Sequence, residues 1–236
     1  MKTRCSNNLI KNWNFLTEEL NIMIKKIGLI FLLAVLAGCS NVDNQMKNTE
    51  NAVFALDKSN SGKMMILYPD RQKIKTAGTL VEGKLQGKYT EYYENGNLLL
   101  VTTYDNGKQN GYTKKYYPNG NVEIKGRMKN NLAEGKFTFF YENGSRQSIK
   151  NFKEGLYDGY CMEFYPNGAV KMKGNYTDGF KNGVFSFYNE KGKKIQEGNY
   201  VNGLRNGVWK NFDENGKTVS SLDYKNTGFI NPEERI

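Results

Sequence analysis

Histidine is absent from this 236-residue chain, and cysteine (3) and proline (4) are scarce. The first absence removes Ser-His-Asp and Cys-His catalytic arrangements, histidine metal ligands and any histidine switch near neutral pH. The cysteines, Cys5, Cys39 and Cys161, have no CxxC spacing, which excludes a zinc knuckle and a thioredoxin-like site. Paired acids are missing too: Asp105, Glu154 and Asp178 fall in predicted turns, a common place for acidic residues, and no cleft brings two of them together. No metal, cofactor or catalytic residue is therefore assigned, and the chain reads as a non-enzyme. A block of like charge is also lacking. The formal net charge is +10, but the lysines are spread along the chain, which argues against nucleic acid as a partner.

What is abundant is glycine (25), tyrosine (16) and phenylalanine (13), the composition of many short strands joined by tight turns. The one apolar run lies near the N-terminus. Lys25 and Lys26 precede Ile27 to Val35, and small residues lead to Cys39. This run is shorter than the roughly 20 residues a bilayer-spanning helix needs, and it has the layout of a secretory signal. Glu18 and Glu19 fit poorly in a positive n-region, so residues 1–22 read as a mis-assigned start upstream of Met23 or, alternatively, as a long n-region.

The ending Leu36-Ala37-Gly38-Cys39 resembles the bacterial lipobox. The resemblance implies a signal peptide over 1–38, cleavage before Cys39, lipidation of its thiol and acylation of the new terminus. Several acyl chains would anchor the protein stably to a membrane. Ser40 in place of aspartate implies the outer membrane of the cell envelope. Residues 39–62, rich in Asn, Lys, Asp and Ser, read as a lipidated flexible tether.

Self-similarity dominates the remainder. Glycine recurs at Gly87, Gly111, Gly135, Gly159, Gly183 and Gly207, each 24 residues from the last. Counting each of these as position 0, an aromatic returns at position 5 (Tyr92, Tyr116, Phe140, Phe164, Tyr188, Phe212). A large apolar residue returns at position 17 (Tyr104, Met128, Phe152, Tyr176, Tyr200, Tyr224), and both rows are expected in the core. Asn-Gly pairs such as 95-96 and 167-168, replaced by Lys191-Gly192 in the fifth copy, mark a hairpin in each copy. Pro118 and Pro166 ahead of two pairs predict a three-residue loop with a glycine bulge there. A second turn, at Asn106-Gly107, Asp178-Gly179 and Asn202-Gly203, links one copy to the next.

The expected fold is all-β: an elongated, twisted antiparallel sheet of 24-residue β-hairpins, preceded by a cleaved helical signal segment. The repeat domain is placed at 63–227, with a degenerate capping copy over 63–86 and a tail over 228–236. The pattern Gly-x-aromatic-x-x-aromatic-aromatic-x-Asn-Gly resembles the MORN-variant repeats, including those of YwqK-type proteins labelled as antitoxins. That resemblance implies a repeat scaffold binding a protein or glycan at the envelope, or alternatively an antitoxin or immunity protein neutralising a toxin. The lipobox is a departure from a cytoplasmic antitoxin.

Irregularities in the repeat supply the candidate binding residues. Tyr112 and Tyr160 replace lysine or valine at position 1, and Phe139 and Phe187 replace polar residues at position 4. Strict alternation puts these positions on opposite faces, whereas a bulge between positions 2 and 5 could gather them into one aromatic stripe. Cys161, at a position 2 held by aromatics in most copies, is expected to be a small buried thiol.

Overall fold

The computed structural model describes residues 46–49, 52–70 and 72–224, and every regular element among them is a β-strand. The expected signal segment, Cys39 and the C-terminal tail lie outside the described residues. Those described form two compact units: an N-terminal one (46–120 with Met128–Asn131) and a C-terminal one (Asn121–Arg127 with 132–224).

The Gly159 copy shows how each hairpin is built. Gly159–Phe164 pairs antiparallel with Val170–Thr177, setting Gly159 opposite Tyr176, Cys161 opposite Gly174 and Glu163 opposite Met172. The N–H of Tyr165 donates to the Ala169 carbonyl (2.8 Å) and that of Gly168 to the Tyr165 carbonyl (2.9 Å). With Gly168 at φ 87 this is a type I turn closed by a left-handed glycine. The same glycine-to-carbonyl bond closes all six copies, from Gly96 to Gly216, so the loop expected for the Pro118 and Pro166 copies is general. The Asn before the glycine keeps ordinary negative φ and works through its side chain. Asn167 Oδ1 accepts the Ala169 N–H (3.0 Å), while its Nδ2 donates to the Glu190 carbonyl one copy on (3.0 Å).

The linking turn is of the other kind. Asn202 (φ 50) and Gly203 (φ 84) are both left-handed, the backbone of a two-residue type I′ hairpin joining Val201 to Leu204. The Gly203 N–H donates to the Lys181 carbonyl of the preceding linking segment (2.9 Å), so successive turns are tied together. A second line of bonds runs along the other end. The hydroxyls of Tyr141 and Tyr165 donate to the carbonyls of Phe164 (2.8 Å) and Tyr188 (2.9 Å), and in the N-terminal unit Tyr93 donates to Tyr116 (2.7 Å). Each such bond contributes about 1 kcal/mol net, so copies are joined by side chains as well as by the strand ladder.

Two boundaries differ from expectation. Residues 39–62 are not all tether: Met46–Thr49 and Ala52–Leu56 are strands, and the second pairs with Gly62–Leu67. The polar neighbourhood hid the alternation Ala52, Phe54, Leu56, whose first two members are buried. The capping copy also starts one residue earlier than expected. Gly62 stands opposite Leu80 as Gly87 stands opposite Tyr104, because the first loop, from Tyr68 to Lys73, is one residue longer than the others.

In the C-terminal unit the core is a file of rings on one face. Phe137, Phe152, Tyr157, Tyr176, Phe185, Tyr200, Trp209 and Tyr224 make successive contacts with centroids 4.8–6.2 Å apart, mostly edge to face. Position 17 is core, as expected. Position 5 is core only in part: Phe164 is buried, whereas Phe140 and Tyr188 are half-buried on the other face, covered by Lys125 (5.2 Å) and Lys173 (5.5 Å). The bulge between positions 4 and 5 falls after the ring at position 2 has taken the core face, and the cations shield what alternation turns outward.

Candidate functional site

Alternation along Arg146–Lys153, Val170–Thr177 and Lys194–Val201 divides the C-terminal unit into two faces. Phe152, Met172, Gly174 and Tyr200 belong to the core face. Asn151, Lys153, Asn175, Thr177, Asn199 and Val201 point to the other. Opposite these stand two rows of large exposed apolar side chains. Leu156 faces Lys153, Phe180 faces Thr177 and Leu204 faces Val201. Tyr160 faces Asn175, Val184 (58 % exposed) faces Asn199 and Val208 (52 %) faces Asp223.

The rows run side by side, two residues or about 7 Å apart along the strands. Within the first, each side chain meets the next linking turn: a Cβ on Gly203 would lie 3.4 Å from Phe180 Cδ1, and one on Gly155 would lie 3.4 Å from Leu132 Cδ2. This row is apolar from Leu132 onward, whereas Lys84 and Lys108 hold the same position in the N-terminal unit. Exposed apolar side chains gathered in rows are the kind of surface that interaction sites use.

The sequence-derived stripe does not assemble. Tyr160 lies on the outer face of the C-terminal unit and Tyr112 is 76 % exposed in the N-terminal unit, while Phe139 and Phe187 are half-buried against core rings, with centroids 6.4 Å from Phe137 and 6.5 Å from Phe185. The bulge comes one step too late along the strand to bring the two sets together. Of the four, Tyr160 joins the apolar rows. The sequence does not single out Val184, Val208, Phe180 and Leu204, because an apolar residue in a strand gives no local sign of which face it occupies.

Cys161 is buried, 2 % exposed. It does have a cationic neighbour, Lys150, whose ammonium pairs with Glu163 (3.2 Å) and lies 4.9 Å from the Tyr157 ring centre. Burial outweighs that field and pushes the thiol up to about 12, so the sulfur stays protonated. Burial opposes the charge on Lys150, yet Tyr157 and Glu163 raise its pKa overall. The arrangement holds a half-buried ion pair in the core row and offers no activated nucleophile. Among the described residues no three of His, Cys, Asp and Glu gather as a metal site.

The linked hairpins, closed by glycine turns and carrying an apolar face on one unit, define a β-hairpin repeat scaffold. The MORN repeat variant model matches six times, at residues 85–106, 109–130, 133–154, 157–178, 181–202 and 205–226, and the chain belongs to that family. The first five matches each end on a left-handed residue of a linking turn, from Asn106 to Asn202. No curated protein matches the chain.

Proposed function

We propose that this is a non-catalytic, lipid-anchored envelope protein whose repeats bind another protein through the outer face of the C-terminal unit. The observation that carries the reading is the pair of exposed apolar rows, Leu156-Phe180-Leu204 and Tyr160-Val184-Val208, on a unit whose other face packs its file of rings into a core. The Leu36-Ala37-Gly38-Cys39 sequence supports anchoring at Cys39, and Ser40 supports the outer membrane.

The test combines two measurements in cells. Labelled palmitate should enter the wild type and not Cys39→Ala; unlabelled, cytosolic protein would defeat the envelope reading. A photo-crosslinking residue at Val184 should yield a discrete adduct that Phe180→Lys with Leu204→Lys abolishes. Lysine is tolerated by the fold at this position, as Lys84 and Lys108 show. An adduct indifferent to these changes, or none, would remove the face from the argument. A single polypeptide captured one to one, whose toxicity the chain suppresses, would identify the antitoxin alternative.

A further inference from the structure

We infer that the outer face of the C-terminal unit receives an amphipathic α-helix whose apolar stripe is flanked by acidic residues. The inference rests on the binding role proposed for that face and specifies its partner.

Repetition sets the spacing. Equivalent side chains in consecutive copies are two strands apart, about 9.6 Å at about 4.8 Å per strand. Seven helical residues rise about 10.5 Å, so a helix laid across the strands returns an apolar residue to each copy with a mismatch of about 1 Å per step. Leu132, Leu156, Phe180 and Leu204 are four positions joined by three such steps, which a helix of about 21 residues spans. The neighbouring row, about 7 Å away, makes the surface wide enough for a helical stripe of two or three adjacent positions.

Charge selects the flanks. Lys136, Lys153, Lys173 and Lys210 are exposed on this face, interleaved with the apolar rows. Its acids are largely engaged. Glu197 accepts from Lys194 (2.6 Å) and Ser186 (2.8 Å), Asp158 accepts the Asp178 N–H (3.4 Å), and Asp223 stands at the C-terminal margin opposite Val208. A second copy of the same face would meet lysine with lysine. An acid-flanked helix meets opposite charge at both rims.

The experiment uses the full chain carrying Cys39→Ala and three synthetic helical peptides of about 21 residues, followed by fluorescence anisotropy. The first has leucine every seventh residue with glutamate flanks, the second replaces glutamate with lysine, and the third shortens the leucine period to five. The first peptide should bind. The second and third, and the first against Leu156→Lys with Phe180→Lys, should bind at least about tenfold more weakly, with the urea midpoint of the variant unchanged. Equal binding of all three peptides, or no binding of the first, would overturn the inference. So would capture of phosphatidylglycerol vesicles through Leu156 and Phe180, or self-association that the lysine variant abolishes. If the peptides fail while the Val184 adduct survives, the binding role stands and the helix is wrong. If both fail, both are wrong.

Discussion

A Cβ built on Gly174 would stand 2.5 Å from the ring of Phe185, so that ring rests on the glycine backbone. The same fit recurs eleven residues apart where one copy meets the next: Gly78 under Tyr89, Gly126 under Phe137 and Gly198 under Trp209. The two copies without the glycine also lack the ring. Thr102 is followed by Thr113, and Lys150 by Cys161. Size is therefore shared between two positions in neighbouring copies, and an addition at one is matched by a loss at the other.

That exchange predicts non-additive substitutions. Gly174→Ala should cost about 1–3 kcal/mol by overpacking, and Phe185→Ala about 3–5 kcal/mol through the cavity it leaves. The double variant should cost clearly less than the sum, because the added methyl occupies part of the space the ring vacates. Urea denaturation of the four proteins measures the coupling, and strict additivity would show that ring and glycine do not share that space.

Thr113 is buried with its hydroxyl unpartnered, as is Thr102. Thr113→Val keeps the shape and removes the group that lost its hydration, so it should stabilise the protein by about 1 kcal/mol. A lowered thermal midpoint would mean that the hydroxyl is satisfied in solution.

Glu91 is half-buried at position 4, and burial raises its pKa despite a hydrogen bond from Tyr89 and the fields of Lys75 and Lys115. With the folded pKa above the unfolded one, its favourable contribution is complete below the ordinary glutamate value of about 4.3 and is lost as pH rises through the folded pKa. Glu91→Gln should therefore raise the thermal midpoint at pH 7, with the gain shrinking to nothing near pH 4. A gain independent of pH would assign the effect to packing.

The Cys161 thiol, buried and pushed up to about 12, should react with iodoacetamide only when the protein opens. Alkylation at pH 8 should be slow in buffer and fast in denaturing urea, and Lys150→Met should not accelerate it in the folded state. Rapid labelling of folded protein would contradict the burial.

The sequence by itself determined the repeat, its 24-residue phase from Gly87 onward, the hairpin loops and the apolar row at position 17. These features are local: a turn needs a left-handed glycine within a few residues, and a periodic row needs only regular copying. Tertiary structure decided what depends on a neighbour. It left the position 5 rings other than Phe164 half-buried, set Phe139 and Phe187 against the ring file and apart from Tyr160, and exposed Val184 and Val208 beside Tyr160. It also recruited Ala52–Leu56 into the sheet. A one-residue bulge reverses every side chain beyond it, and its place in the strand depends on how ring and glycine fit between copies, a relation that no single copy contains.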